Sequence, residues 1–452
     1  MLSKKMNSII DDVCSNLAER EELVHTIALA LLTKKNLFVL GKPGQAKSQA
    51  IDLFRSHIDD AKQFDVLMSK GIDQEQLFGR LDLSSIIPGH ISLSRLKSDP
   101  TYQKMKEEME KLLEDTGNSD QPSELTRLRT CMENRRQCLA EVYGGKPEII
   151  TENKIPESDI VFLDEVFKAN DGVLNSLLKA LNERIFTNEG VTKSIPTISF
   201  FAASNEIPNF HNPEEQSLRA LYDRFDFKVH TKYVEEKSNR MKILKGKQSV
   251  NKGDSNPAIN ITLEELSRMQ NEVRSINIPD SINELADNIL CELRRKDIFV
   301  SDRTYFNLSL VIQAEAWLNE HTTVQPEDMK ALVNYLWDKP EDREIIREVI
   351  YRLTENPLGD KLNDLLAKSY EHQRKFDSAT DKNQALITMR NALVDIYDKA
   401  QELRKGLSDN DAAHSQIDSM IATLEEISRN VHEKTQFTYL PLDELKAYKT
   451  LV

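Results

Sequence analysis

The stretch Leu37-Phe38-Val39-Leu40-Gly41-Lys42-Pro43-Gly44-Gln45-Ala46-Lys47-Ser48 decides the fold. Its four leading apolar residues predict a short buried strand, and the glycine-containing turn after them leads into a helix that begins at Lys47. A polyphosphate is bound by converging backbone N–H groups, a helix N-terminus and a mobile cation. We therefore predict a phosphate-binding loop. Its predicted cofactor-binding residues are Gly41, Pro43, Gly44, Gln45, Ala46, Lys47 and Ser48.

Two side chains of this loop have specific predicted roles. Lys47 supplies the cation for the phosphates, and the Ser48 hydroxyl is a predicted ligand of the Mg²⁺ that accompanies a nucleotide. The usual pattern has glycine just before the lysine, whereas this chain has Ala46, which places a methyl group where the backbone passes close to phosphate. Because such a turn can also be purely structural, the prediction depends on partner residues elsewhere.

The composition is typical of a folded protein with several domains. The chain has 452 residues, of which 39% are hydrophobic and 30% charged, and the net charge is -14. A chain of this length can bury a sizeable core and divides into roughly two to four domains. The acidic balance argues against general binding to nucleic acid or to an anionic membrane.

The cysteines and the apolar runs of the sequence indicate the cellular compartment of the protein. Cys14, Cys131, Cys138 and Cys291 are too dispersed for a CxxC metal pair, and such thiols are typical of a reducing compartment. Residues 1–17 lack the apolar run of a signal peptide, and no later stretch approaches the ~20 apolar residues of a membrane span. We therefore expect a cytoplasmic protein without a membrane segment.

The second strong signal is Ile160-Val161-Phe162-Leu163-Asp164-Glu165, an apolar run that ends in two carboxylates. A buried strand with this pattern delivers both acids to its carboxyl end. Asp164 is then predicted to hold Mg²⁺ through water, and Glu165 to polarise the water that attacks the γ-phosphate. Adjacent acids are also common in solvated loops, but their combination with Lys47 and Ser48 is much more specific.

Asn205 follows a further apolar run, Ile198–Ala203, which predicts a core strand. An amide at a strand end beside the two acids can orient the attacking water or sense the γ-phosphate. Asparagine at such a position is also an ordinary turn former.

Two arginines lie at the ends of other predicted helices. Arg224 lies between a short helix and a strand, where it either pairs with Asp223 or Asp226 or points to the nucleotide of a neighbouring subunit. Arg303 falls in the first turn of a helix that begins at Ser301-Asp302, where it could reach a phosphate.

The remaining segments predict a mostly helical chain around an α/β core. We assign residues 1–230 to the core, 231–340 to an α-helical lid, and 341–452 to a C-terminal helical bundle or partner-binding region. Residues 95–145 read as a charged helical hairpin inserted into the core, either a solvated spacer or a substrate contact. A second buried strand is predicted at 64–68 and a lid helix at 302–320. Helix breaks are predicted at 116–123, 251–257 and 406–411.

Taken together, the loop at 41–48, the acids at 164–165, Asn205, Arg224 and Arg303 resemble an AAA+ ATPase. More specifically, several stretches are similar to the MoxR group and its RavA branch, in which the loop alanine also occurs. These stretches are Phe162–Ala169, Leu177–Arg184, Ala203–Pro208 and Ala220–Arg224. The likeness covers roughly residues 10–340 and implies an α/β fold, with a parallel-sheet nucleotide-binding core, a helical lid and a C-terminal helical extension.

The resemblance also implies a function. It implies a ring, usually a hexamer, that hydrolyses ATP with Mg²⁺ between subunits and acts as a chaperone-like motor with a partner bearing a von Willebrand factor A domain. It assigns the phosphate and magnesium contacts to Lys47 and Ser48, magnesium to Asp164, water activation to Glu165, sensor 1 to Asn205, the trans finger to Arg224 and sensor 2 to Arg303.

Two other functions stay open at this point. One is an ATP-binding scaffold with little turnover that presents its C-terminal helices to a partner, although the intact acid pair argues against it. The other is a motor that depends on nucleic acid, which the net charge of -14 disfavours. The sequence departs from RavA in its inserted hairpin and in a short helical C-terminal part without an evident β-rich module.

Overall fold

The computed structural model describes the chain at residues 2–87, 89–114, 121–188, 190–212, 215–248, 259–355, 357–405 and 411–449. The predicted break at 251–257 lies outside these residues, and those at 116–123 and 406–411 lie mostly outside them. By their internal contacts the residues form two units, Met1–Pro279 with Val300–Arg343, and Asp280–Phe299 with Glu344–Val452. These limits differ from the predicted domain boundaries near 230 and 340, which stay a prediction.

A five-stranded parallel sheet forms the centre of the first unit, and its strands lie in the order β5-β1-β4-β3-β2. This arrangement confirms the predicted α/β class with a parallel sheet. In chain order the strands are β1 Leu37–Leu40, β2 Gln63–Leu67, β3 Ile160–Asp164, β4 Ser199–Ser204 and β5 Phe227–His230.

The three middle strands are apolar because they are covered on both faces. Every residue of β1 and β4 is buried, and in β3 only Asp164 is partly exposed. Leu37 of β1 lies opposite Phe201 of β4 and Phe227 of β5. Removing a buried phenylalanine from such a core typically costs 3–5 kcal/mol, roughly, so these side chains hold the strands in register.

The second strand differs from the prediction of a buried strand at 64–68. It lies at the edge of the sheet, and its residues alternate between partly buried and exposed positions. Asp65 points outward and accepts a hydrogen bond from Nη2 of Arg55 at 3.0 Å. An edge strand has one open side, so it needs only a half-apolar pattern.

Helices and short strands surround the sheet. The helices of the first unit are Leu2–Asn16, Glu21–Thr33, Lys47–Arg55, Gln74–Phe78, Leu83–Ile86, Leu93–Ser98, Pro100–Glu114, Gln121–Tyr143, Asp171–Glu183, Gln216–Tyr222, Lys237–Gln248, Leu263–Ser275, Asp302–Phe306, Ser309–Leu318 and Val333–Leu336. The 3₁₀ turns are Ile155–Glu157, Val166–Lys168 and Pro326–Leu332. The small strand pairs are Ile58–Asp59 with Ile261–Thr262, Arg80–Leu81 with Ile149–Ile150, and Ile185–Asn188 with Val191–Ser194.

The inserted hairpin is present as the helices Pro100–Glu114 and Gln121–Tyr143, which pack on each other. At its base Nη2 of Arg135 donates to Asp99 Oδ2 at 2.6 Å. A small apolar cluster lies beside this ion pair and joins the hairpin to the segment before it. The cluster consists of Ile91, Leu96, Leu139 and Ala140.

One predicted helix, 302–320, is interrupted. The structure has the helices Asp302–Phe306 and Ser309–Leu318 instead, separated at Asn307. The Asn307 side chain donates to the Arg303 carbonyl oxygen at 2.7 Å. An asparagine that bonds to nearby backbone in this way competes with the helical hydrogen bonds, which explains the break.

The described residues of the second unit form helices joined by loops, without a strand, which confirms the predicted C-terminal helical extension. Its helices are Asp280–Arg295, Asp342–Glu355, Pro357–Ser378, Lys382–Lys405, Asp411–His432 and Leu442–Lys449. The last four share one apolar core, which includes Leu365, Leu393, Leu424 and Leu442. Across the residues that the structure describes in both units, no helix has the length and apolar character to cross a membrane.

We predict that one ion pair in the first unit makes stability depend on pH. His25 Nε2 lies 2.7 Å from Glu315 Oε2. Burial lowers the pKa of His25, but the bond to Glu315 outweighs it and the net pKa is raised. The pair therefore stabilises the fold below the unfolded histidine pKa of about 6.5, and this stabilisation is lost as pH rises through the folded pKa.

Denaturant unfolding from pH 5 to 9 tests this expectation. His25→Gln should remove about 1 kcal/mol of stability at pH 5 and much less at pH 9. His90→Gln, at an exposed histidine, serves as the control. An equal loss at both pH values in His25→Gln would contradict the assignment.

Candidate active site

The residues predicted to bind phosphate and magnesium and to activate water meet at one edge of the sheet, the carboxyl edge, because β1, β4 and β3 are neighbours. The carboxyl ends of parallel strands lie side by side, and each of these strands continues directly into a polar segment. The segments are the loop after Leu40, the acids Asp164 and Glu165, and Asn205. Backbone bonds hold this edge together, since Gly41 N donates to Ser204 O at 3.1 Å and Met68 N to Asp164 O at 2.8 Å.

The first turn of the phosphate loop needs glycine. A Cβ at Gly41 would collide with the side chains of Thr231 and Gln45. These two side chains are bonded to each other, with the Thr231 hydroxyl 2.9 Å from Gln45 Oε1. Arg20 donates through Nε to the Gln45 carbonyl oxygen at 2.9 Å, so the loop is fixed from both sides. The sequence contains no signal for the roles of Thr231 and Arg20, because both depend on distant segments.

The helix Lys47–Arg55 begins just after Ala46, whose φ of 57° lies in the left-handed region. Gly44, two residues earlier, has φ +78°. These two positions turn the chain so that the loop leads into the helix N-terminus, where free N–H groups and the helix dipole favour an anion. The loop therefore has the backbone geometry predicted for phosphate binding.

Lys47 is buried within this loop. Its ammonium donates to the Gly41 carbonyl oxygen, and it lies 3.3 Å from Lys42 O and 3.0 Å from Asn205 Oδ1. Burial lowers the pKa of Lys47, and the carboxylates of Asp164 and Glu165 oppose this shift. The cation is therefore held at the mouth of the loop and faces the two acids.

Asn205 connects the lysine to the acids. Its Oδ1 accepts from Lys47, and its Nδ2 donates to Glu165 Oε1. Glu165 itself has φ 53°, and its backbone N–H donates to Asp164 Oδ1 at 3.0 Å. The sequence predicted each of these residues separately, whereas the bridge is visible only in the structure.

Ser48 and Asp164 could hold a divalent cation together with phosphate oxygens. Both are partly buried at this sheet edge, and both offer the hard oxygen ligands that Mg²⁺ prefers. Among the described residues no group of three or more His, Cys, Asp and Glu side chains could hold a metal ion alone.

Arg224 lies at the amino edge of the sheet, where the strands begin, opposite the carboxyl edge. Its carbonyl oxygen accepts from Asn36 Nδ2 at 2.9 Å, just before β1 begins. The predicted internal pairing does not form in the described part of the chain, because Asp223 pairs with Arg219 at 2.9 Å and Asp226 with Lys35 at 3.2 Å. The Arg224 Nε is buried without a hydrogen-bond partner there.

Arg303 does not lie beside the phosphate loop of its own chain either. Its Nη2 donates to Asn182 Oδ1 at 3.0 Å. Asn182 is in the last turn of the helix that follows β3, and the neighbouring Leu181 O accepts from Asn36 at 3.3 Å. Because β1 separates Asn36 from the loop, the two edges are about 13 Å apart. The sensor 2 role of Arg303 stays a prediction.

The amino edge of the sheet carries more positive charge than the sequence indicated. A cleft of about 560 Å³ is lined there by Lys34, Lys35, Arg184, Asp226 and Arg303, among others. Arg184 Nη2 donates to Asn36 Oδ1 at 2.8 Å, and burial lowers the pKa of Arg184 to about 10. The structure thus separates two acids at one edge from a cationic cluster at the other.

Two family models match this chain. One describes the MoxR domain in the MoxR-vWA-beta-propeller ternary systems and matches residues 4–98 and 138–271, half of the chain. The chain belongs to the MoxR-type AAA+ ATPases. The other model is an AAA lid domain and matches residues 277–350 of this MoxR-type protein. Residues 99–137, between the two matched MoxR segments, fall in the helical hairpin, which is therefore an addition to the MoxR domain.

Three further proteins are similar to this chain. Two uncharacterized proteins of Methanocaldococcus jannaschii are 29% identical over 374 residues and 26% identical over 354 residues, covering 82% and 78% of this chain and 80% and 77% of theirs. The crystal structure of a candidate ATPase from Cytophaga hutchinsonii has a TM-score of 0.53 at 17% identity, over 77% of this chain and 94% of that one. This last likeness supports the fold alone.

We predict that Ala46→Gly stabilises this MoxR-type protein. A non-glycine residue in the left-handed region costs roughly 1–2 kcal/mol, and the greater flexibility of unfolded glycine offsets only about 0.4–1 kcal/mol of the gain. Denaturant unfolding should show an increase of up to about 1 kcal/mol. Ala50→Gly, inside the same helix, should lower stability by about 1 kcal/mol. A loss of similar size in both variants would refute the strain at Ala46.

Proposed function

We propose that this protein is a chaperone-like ring motor that hydrolyses ATP at subunit interfaces and remodels a protein partner. The observation that carries this proposal is the bridge from Lys47 through Asn205 to Glu165. In this role Lys47 binds the phosphates, and Ser48 and Asp164 hold Mg²⁺. ATP with Mg²⁺ supplies the phosphoryl group that is transferred to water.

Glu165 is the proposed general base. Its carboxylate is mostly buried and accepts from the Asn205 amide, which fixes one oxygen. The other oxygen, Oε2, lies 3.6 Å from Lys168 Nζ. A carboxylate held in this way can orient a water molecule and take its proton, and Asn205 keeps the base and the phosphate-binding lysine in one geometry.

Arg224 and Arg303 are proposed to act on the nucleotide of a neighbouring subunit. Both lie at the amino edge, which the four residues of β1 separate from the carboxyl edge by about 13 Å. A ring places this edge against the carboxyl edge of the next subunit, so cations would meet phosphates across the interface. We propose a hexamer, as is usual for the family.

The partner is proposed to carry a von Willebrand factor A domain. The matching family model supports this proposal, because it describes the MoxR domain of systems that combine MoxR, vWA and β-propeller components. The RavA branch rests on the sequence stretches quoted above and stays a proposal. Remodelling of the partner distinguishes a motor from a scaffold that binds ATP and turns it over slowly.

Glu165→Gln should abolish turnover and spare ATP binding. Loss of a general base typically costs about 10²–10⁴-fold in rate, whereas the neutral amide leaves the phosphate contacts in place. Magnesium-dependent phosphate release and nucleotide affinity are the two measurements. Glu206→Gln, an exposed carboxylate next to Asn205, is the matched control and should retain activity.

The outcomes separate the candidate functions. Full turnover in Glu165→Gln would remove Glu165 as the base. Tight ATP binding without release in the unchanged protein, with and without a partner, would favour the scaffold.

Arg224→Ala should assemble and bind ATP but hydrolyse it at least about 10-fold more slowly, because a trans arginine stabilises the charge of the transition state. Mixing it with Lys47→Ala protein should restore part of the activity, since intact sites then face intact arginines. Arg268→Ala, at an exposed arginine paired with Glu264, is the control. If the two variants are shown to assemble into mixed rings and no activity is recovered, the trans role is ruled out.

A further inference from the structure

A short segment leads from Asn205 to the aromatic ring of Phe210. The turn after Asn205 is held by the Ser204 hydroxyl, which donates to Glu206 O at 2.8 Å. Further along, Asn209 N donates to Glu215 Oε2 at 2.6 Å. With a proline at position 208 as well, the segment is short and tied at both ends, so a shift of Asn205 moves Phe210.

Phe210 packs on the helix Gln216–Tyr222. Its ring centroid is 5.5 Å from that of Tyr222, and the Arg219 guanidinium lies 5.1 Å from the Phe210 ring. Tyr222 is fully buried and contacts Phe38 of β1 edge to face at 5.5 Å. Such aromatic and cation–π contacts are directional, so they hold the short helix against the Phe210 ring.

The same helix carries Arg224 at its end. Arg224 N donates to Leu221 O at 3.1 Å, and its Nη1 donates to Ala220 O at 3.3 Å. The arginine is therefore attached to the last turn through both its backbone and its side chain. A movement of the helix changes the direction in which the guanidinium points.

Asp338 contacts the same two helix residues as Phe210. Arg219 Nη2 lies 2.8 Å from Asp338 Oδ2, and the Tyr222 hydroxyl donates to Asp338 O at 2.6 Å. A cleft of about 780 Å³, lined by Lys42, Asn205, Phe210, Arg219 and Asp338 among others, separates these contacts from the phosphate loop. The segment 205–210 therefore borders a cleft, while Asp338 ties Arg219 and Tyr222 of the helix.

We propose that Phe210 and Arg219 are positioning residues that couple a subunit's own nucleotide site to its Arg224. When Lys47 turns to a phosphate, Asn205 loses one of its two partners, the segment shifts, and the Phe210 contact transfers the shift to the helix. Each bound nucleotide would thereby change the position of the Arg224 that faces the nucleotide site of the next subunit. This inference rests on the proposed trans role of Arg224.

Hydrogen exchange of the amides of residues 216–224 tests the coupling. In a Glu165→Gln background, which should hold ATP without turnover, Mg-ATP is expected to change their exchange rates by at least about threefold. Phe210→Ala should remove most of this change while ATP affinity stays within about twofold. Phe210→Tyr keeps the ring and should retain the response. Phe437→Ala, at an exposed phenylalanine of the second unit, is the distant control.

Light scattering at each nucleotide concentration checks that the assembled fraction is equal between variants. An undiminished exchange response in Phe210→Ala, or no response in the parent despite bound ATP, would overturn the coupling. Absence of ATP binding in the parent would instead count against the proposed function. If Phe210→Ala does not fold, Arg219→Gln removes the guanidinium from the same ring and should weaken the response in the same way.

Discussion

The hydrogen bonds of one amide, Asn205, join Lys47 to Glu165 and thereby connect three segments that are distant in sequence. They form because β4 lies between β1 and β3 in a parallel sheet, so the end of β4 reaches both neighbours. The buried strands hold this register, and the fixed loop around Gly41 presents the lysine. The chemistry of the site therefore depends on the strand order.

Charge is distributed unevenly between the two edges of the sheet. Two carboxylates occupy the carboxyl edge, and a cluster of lysine and arginine side chains occupies the amino edge, within a chain of net charge -14. Polyphosphate bound at the carboxyl edge would be complemented by Lys47 of the same subunit and by further cations from outside it. The proposed ring and the separation of charge are thus two aspects of one arrangement.

Two parts of the chain lie beyond the MoxR domain itself. The helical hairpin interrupts the family match between residues 98 and 138 and is anchored by the ion pair of Arg135 with Asp99. The C-terminal helices form a second apolar core of their own. The residues of the candidate site at the carboxyl edge, Lys47, Asp164, Glu165 and Asn205, belong to neither of these parts.

Local sequence determined the strands β1, β3 and β4, the phosphate loop and the acids at 164–165, because continuous apolar runs and turn residues act over a few positions. Only the tertiary structure decided where Arg303 lies. Its helix start is visible from the Ser301 cap, but its place beside Asn182 depends on packing between segments more than a hundred residues apart. The same holds for the edge position of β2 and for the contacts of Arg224, since strand order and side-chain partners are long-range properties that no local pattern encodes.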